Sequence, residues 1–436
     1  MEIEIPYTKV TLENGLDVLL HEDHSLPIVA VNIWYHVGSK NERPGLTGFA
    51  HLFEHLMFEG SAHHDKGYFP PLQEAGASLN GSTNADRTNY WEVVPTGALE
   101  LALFLESDRM GYLLPALTEE KFATQREVVL NERRQNYENR PYGLASIALA
   151  DALYPADHPY HWPTIGYPPD LRSASLDDVR AFFARYYHPA NASLALAGDI
   201  EPESALQLVR KYFEEIPPGP RVDPVAAPPG GLETEARLVL EDRVELPRLY
   251  MAWRSPALFA EGDAACDVLA DVLANGKTSR LYRRLVHQMR IALDVSAMQQ
   301  SRELEGAFQL AATAAPGRTL AEIDAVVRDT LAEIAASGPT DDELARALAQ
   351  AEAHFVYRLQ TNGGFSGKSD QLNAYNTFRG DPGYFGQDLA RYLRLTPAAV
   401  REAAAQLAAS PRVVLSVVPK GHRELALPDS REAVAS

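Results

Sequence analysis

G-F-A-H-L-F-E-H-L-M-F-E-G, running from Gly48 to Gly60, carries the strongest chemical signal in the chain. It sets His51, Glu54 and His55 at i, i+3 and i+4, positions that share one face of an α-helix. Pro44, Gly45, Thr47 and Gly48 precede the stretch and Gly60 closes it, so a helix is expected between those bounds. Two imidazoles four positions apart can hold one Zn²⁺, and a carboxylate beside them can serve as a general base. The rival reading is a half-buried helix with two unrelated histidines.

The order His-x-x-Glu-His resembles the inverzincin metallopeptidases, the family of insulin-degrading enzyme, pitrilysin and mitochondrial processing peptidase. The resemblance implies a further glutamate about 76 residues downstream on another helix, in a phrase like E-R-x-V-x-x-x-E. Q-R-E-V-V-L-N-E runs from Gln125 to Glu132, and Glu132 stands 77 positions after His55. The implied site is one Zn²⁺ per chain on His51, His55 and Glu132, with a fourth position open and Glu54 as general base. Glu127 is the rival third ligand. Gln125 stands where the family often has a supporting glutamate, and an amide there can still hydrogen-bond behind the site. Leu79-Asn80-Gly81-Ser82-Thr83 resembles the family's substrate strand, so Asn80 and Gly81 are expected to meet the backbone of an extended peptide.

At 436 residues the chain has length for two or more domains. A formal charge of −19 argues against nucleic acid and against an anionic membrane surface. Cys266 is the sole cysteine, which excludes an intrachain disulfide and a thiolate zinc site and leaves histidine and carboxylate to hold any zinc. The opening M-E-I-E-I-P-Y has neither a basic start nor an apolar core, and no apolar run approaches a membrane span. A cytoplasmic protein is expected, or a periplasmic one were a signal segment removed.

Alternating strands, helical stripes and turn residues fill residues 1–216, the zinc-binding half. The expected helices include Ala98 to Tyr112 and Thr118 to Tyr137, with Glu132 inside the second. Residues 217–231 hold five prolines besides Pro217 and three glycines without periodicity, which reads as a linker. Residues 232–436 begin as the first half does, with two strands and a helix from Asp263 to Leu273. Aligning Gly276 with Gly60 sets Asp267, Ala270 and Asp271 against His51, Glu54 and His55, so the architecture is duplicated and the ligands are not. The expected fold is α+β, two homologous halves, each a mixed, mostly antiparallel sheet with helices on one side. H-P-Y-H-W-P-T-I-G (His158 to Gly166) and R-Y-Y-H-P-A-N (Arg185 to Asn191) resemble connecting phrases of the same family.

The second half departs from the resemblance. Active members place an arginine and a tyrosine seven apart to approach the substrate carbonyl; here Val286 and Leu293 occupy those positions. The resemblance therefore implies a zinc endopeptidase subunit for short or unfolded peptides in a closed chamber, completed by a homologous partner that supplies the arginine–tyrosine pair. A heterodimer is expected, a homodimer is the alternative, and a non-catalytic assembly subunit is the competing function. Gly363-Gly364-Phe365-Ser366-Gly367-Lys368-Ser369 looks like a phosphate loop but is one residue short and follows a helix, so it reads as a turn.

Overall fold

Strands β1 (Thr8–Thr11) and β2 (Asp17–Glu22) pair antiparallel around the Asn14-Gly15 turn. The eight residues of β3 (Ile28–Tyr35) are buried almost throughout, as expected of a strand covered on both faces. β4 (Ser78–Thr83) and β5 (Thr88–Pro95) form the expected hairpin through residues 84–87. β6 (Ala192–Gly198) inserts parallel to β2, giving the order β1-β2-β6-β3-β5-β4 with β4 at a free edge. Helices α1 (Phe49–Leu56), α2 (Phe69–Glu74), α3 (Leu99–Ala116) and α4 (Glu119–Arg133) lie between these strands in sequence. α5 (Ala145–Leu153), α6 (Pro168–Ser173), α7 (Leu176–Tyr186) and α8 (Pro202–Phe213) follow.

The second sheet repeats the plan. β7 (Ala236–Asp242), β8 (Arg248–Ser255), β9 (Ala292–Gln300), β10 (Gly306–Ala314), β11 (Val413–Pro419) and β12 (Arg431–Glu432) take the order β12-β7-β11-β8-β10-β9. β7 and β11 are parallel, like β2 and β6, and the β11-β8-β10-β9 pairings are antiparallel, like β6-β3-β5-β4. Its helices are α9 (Asp263–Ala274), α10 (Leu320–Ser337) and α11 (Asp341–Arg358), then α12 (Lys368–Arg379), α13 (Phe385–Leu393) and α14 (Pro397–Ala409). A core of Leu249, Trp253, Leu269, Leu273, Phe308 and Ile323 fills the space between that sheet and its helices.

The computed structural model describes residues 3–434. They form two units: Met1–Glu132 with Pro163–Val225 and His354–Gln387, and Arg133–Trp162 with Ala226–Ala353 and Asp388–Ser436. Each unit thus takes a segment from outside its own half of the sequence. α12 packs on β6 and β3 of the first sheet, while α5 packs on β11 and β8 of the second. The first half's own helices α1 and α3 contact β3, β4 or β5, and α12 also contacts β3, through Trp34 Nε1 to Asp370 and Asn373 Nδ2 to Asn32 O. Residues 217–231 carry no regular structure apart from one bend at Pro229, and the boundary between units falls within them at Val225 and Ala226.

Three local readings change. α1 stops at Leu56, and tight turns through Phe58 and Glu59 carry the chain to Gly60. α4 ends at Arg133 and passes into a π-helical turn, Arg134–Glu138, so Glu132 sits at a junction instead of inside a continuous helix. α9 shares with α1 a left-handed glycine at its N-cap, Gly262 (φ +89) matching Gly48 (φ +88). Aligned there, Ala265, Val268 and Leu269 replace His51, Glu54 and His55; either alignment leaves α9 without the ligand set. No helix among the described residues is long and apolar enough to cross a membrane.

Candidate metal centre

α1 has only eight residues, too short to be stable from propensity alone, so burial and capping must hold it. Phe49, Leu52, Phe53 and Leu56 form its buried face, with Phe53 stacked on Phe182 at 5.7 Å. Glu42 caps its start: one carboxylate oxygen accepts from Gly48 N at 2.9 Å and the other from Ala50 N at 2.8 Å. A Cβ at Gly48 would meet the backbone of Ile165 and Gly166 at 3.0 Å, in a left-handed conformation that disfavours one in any case. The opposite face carries His51, Glu54 and His55, all partly exposed.

Glu132 arrives from α4. Its Oε2 lies 3.6 Å from His51 Nε2 and 3.4 Å from His55 Nε2. The two imidazole rings stand 4.9 Å apart and nearly perpendicular. Ligand atoms from the three residues fall within 4.8 Å of one another. The contacts are longer than good hydrogen bonds. They match the roughly 3.4 Å edge of a tetrahedron whose bonds to zinc are about 2.0–2.1 Å. Burial, and next the neighbouring His55, pushes the His51 imidazole down to about 4, so its ring is neutral and its lone pair available at neutral pH. Two imidazole nitrogens and one carboxylate oxygen are a donor set that zinc accepts, and the residues present fit it. Glu127, the rival ligand, is exposed and stands outside this group.

Glu54 lies beside the cluster. Burial raises its carboxyl above the ordinary range, opposed by a hydrogen bond with Thr83 and by the charges of His55 and Arg87. Arg87 is itself fixed: its Nη1 donates to Ser82 O at 2.8 Å and Ser82 Oγ at 2.6 Å, and its guanidinium lies 5.1 Å from the Trp34 ring centre. Arg87 gave no signal in the sequence as a site residue: it closes a polar hairpin turn, a composition that ordinary turns share.

Asn80 and Gly81 sit on β4, whose outer edge has no strand partner among the described residues. Asn80 Oδ1 accepts from Gly81 N at 2.8 Å. A Cβ at Gly81 would press on Tyr90 and Phe58 at 3.1–3.2 Å, so glycine lets β4 lie close against the tail of α1. Gln125 is buried on α4, where its Nε2 donates to Glu59 Oε1 at 2.6 Å. Lys368, which follows the glycine-rich turn, pairs with Asp23 at 2.9 Å and opens α12. A second grouping, Glu22, His24 and Glu201, is exposed, and His24 is already hydrogen-bonded to Glu22 and Asp199.

Comparison with known proteins matches the chain to two models of a peptidase family. Residues 17–156 match the model of insulinase, peptidase family M16, and residues 173–351 match the peptidase M16 inactive domain. The zinc protease PqqE of Helicobacter pylori is 28% identical over 88% of this chain and 87% of its own length. An uncharacterized zinc protease of Streptomyces coelicolor is 26% identical over 91% of this chain and 86% of its own. The crystal structure of a Helicobacter pylori protease superposes with a TM-score of 0.86 at 26% identity, covering 96% of this chain and 100% of that one. A peptidase M16 inactive domain from Pseudomonas fluorescens, 21% identical, shares the fold with a TM-score of 0.83 over 95% of this chain and 98% of that one.

Proposed function

The chain belongs to peptidase family M16, and we propose that it is a zinc-dependent endopeptidase subunit that hydrolyses short or unfolded peptides within an enclosing chamber. The convergence of His51, His55 and Glu132, with Glu54 beside them, carries this reading. His51 Nε2, His55 Nε2 and Glu132 would hold one Zn²⁺. Bound there, Zn²⁺ supplies a Lewis acid that polarises a peptide carbonyl and makes a water easier to deprotonate. Glu54 accepts the proton of the attacking water and hands it to the leaving amine. Burial raises its carboxyl, which makes it a better proton acceptor than an exposed glutamate.

β4 supplies the binding ledge. Its free edge offers main-chain donors and acceptors to any extended peptide, and a peptide strand would replace the Asn80 side chain at Gly81 N. Such recognition reads backbone more than side chains, which fits unfolded substrates. The missing donors at Val286 and Leu293 support completion by a homologous chain bearing an arginine–tyrosine pair, with a homodimer as the alternative. The same absence favours a second reading, a non-catalytic assembly subunit; that reading leaves Glu54 and the three ligands without a use.

Elemental analysis tests the proposal. One zinc per chain is expected in the wild type, lost in His51→Ala and Glu132→Ala. Glu54→Gln should retain zinc and lose most hydrolysis of an unstructured peptide. Zinc retained at full stoichiometry in both ligand variants would remove the site, and an active Glu54→Gln would assign the proton transfer to another group.

A further inference from the structure

α4 brings Glu132 to the two histidines of α1, so whatever fixes α4 against the segment after α1 sets how well the ligand atoms meet. Two more side chains of α4 reach that segment. Gln125, seven positions before Glu132, donates to Glu59 Oε1 at 2.6 Å. Lys121, eleven positions before it, pairs with Asp65. At roughly 100° per residue, positions 121, 125 and 132 fall within about 40° of arc on the helix.

The segment they grip is itself anchored. Ser61 N donates to His64 O at 3.1 Å and Ala62 N to Tyr112 O at 3.0 Å. Asp108, buried on α3, accepts from Ser61 Oγ, from His63 N at 3.1 Å and from His63 Nδ1 at 2.5 Å. Tyr112 has left the helical conformation ahead of Pro115, which turns its carbonyl to Ala62. A braced loop, two side-chain bonds and the face of one helix therefore link α3 to Glu132.

We infer that Glu59 and Gln125 are a matched pair of positioning residues for Glu132, and that position 125 is an amide because its partner is a carboxylate. The inference rests on the zinc-site reading above. A glutamate at 125, the residue expected from the family resemblance, would set two carboxylates at hydrogen-bond distance in a largely buried place. One would have to take a proton or swing away, and α4 would shift with it. With glutamine the pair carries one charge and a directed N–H to oxygen bond. Exchanging the two residues keeps both the charge and the bond, reversed in direction.

The experiment is a double-mutant cycle on the full chain, read as Zn²⁺ affinity by competition with a chelating indicator. Gln125→Glu should weaken Zn²⁺ binding by roughly ten- to a hundredfold, the range for lost support behind a metal ligand. Glu59→Gln combined with Gln125→Glu should return to within about threefold of the wild type. Unfolding midpoints of the zinc-free proteins are measured alongside. Rescue of affinity by the double variant at matched zinc-free midpoints supports positioning, while affinity that merely tracks the midpoint overturns it. An unmoved Gln125→Glu, or a double variant as weak as the single, also overturns the pair and leaves the zinc site standing. A wild type that takes up no Zn²⁺ overturns the site and the pair together.

Discussion

Trp34 Nε1 donates to Asp370 Oδ1 at 2.8 Å, joining residues 336 positions apart. Asn89 Nδ2 donates to the same oxygen at 3.1 Å, and Ser366 N donates to Oδ2 at 2.8 Å. One buried carboxylate from the chain's second half thus satisfies polar groups on β3 and β5 of the first sheet. Arg87 feels its charge as well as that of Glu54, so the buttress adjoins the cluster on α1.

Asp370→Ala would strand the Trp34 indole N–H and the Asn89 side-chain amide in a buried place and remove the acceptor of Ser366 N. The expected loss is about 2–4 kcal/mol in unfolding free energy, measured by urea denaturation. Asp370→Asn keeps an acceptor and should lose less. Equal stability in all three proteins would mean that water replaces the carboxylate at no cost.

The cluster on α1 was legible because five consecutive positions write His51, Glu54 and His55, and a helix period puts them on one face. Glu132 was legible through its distance and phrase. α12 was not: K-S-D-Q-L-N-A-Y-N-T-F-R has no apolar stripe, yet Ser369, Asp370, Gln371, Asn373 and Asn376 are buried. They pack polar against polar, Asn373 Nδ2 donating to Asn32 O at 2.8 Å and Asn376 Nδ2 to Asp17 Oδ2 at 2.9 Å. A pattern that counts apolar residues cannot detect such an interface. Glu42 escaped for a related reason, since its bonds go to backbone N–H groups six and eight positions on, outside the usual capping offsets.

Glu42 yields a prediction that separates helix order from chemistry. Glu42→Ala removes both cap bonds from the helix carrying His51 and His55. A stability loss of about 1–2 kcal/mol is expected, together with weaker zinc binding. Glu54→Gln should change neither quantity appreciably while lowering turnover. Calorimetric unfolding with a zinc titration of each variant would check this; undiminished zinc affinity in Glu42→Ala would show that burial alone orders α1.

Asp267 provides a pH signature for the second unit. Burial pushes its carboxyl from 3.8 up to about 7, Asp263 and Asp271 add repulsion, and Tyr392, donating at 2.6 Å, and Arg391 pull the other way. The folded form therefore holds the proton more tightly than the unfolded chain. Below pH 4 both states are protonated and the group is neutral to stability; between pH 4 and 7 ionisation favours unfolding increasingly, then levels off. Asp267→Asn should abolish this component, so the unfolding free energy of the variant relative to wild type should rise across pH 4–7. A constant difference across that range would place the carboxyl near its ordinary value.

The last prediction concerns activity of the lone chain. Val286 lies in a π-helical turn, Tyr282–Gln288, and packs against the core of its unit. Leu293 sits on the edge strand β9, about half exposed at 52%. Neither side chain can donate a hydrogen bond to a developing oxyanion. Of the nearby arginines, Arg284 is tied to Thr330 at 2.9 Å and Glu333 at 2.6 Å, and Arg290 is exposed at a left-handed backbone position (φ +53) between the turn and the strand. Losing oxyanion donors removes about 3 kcal/mol or more of transition-state stabilisation, on the order of a hundredfold in rate. The zinc-loaded chain should therefore cleave an unstructured peptide slowly, and a homologous chain carrying the arginine–tyrosine pair should raise the rate by about that factor. Because the partner would stabilise the transition state, the gain should appear in kcat. If the lone chain turned over at the rate of the mixture, the division of labour would be refuted, and a homodimer using other donors would become the reading to pursue.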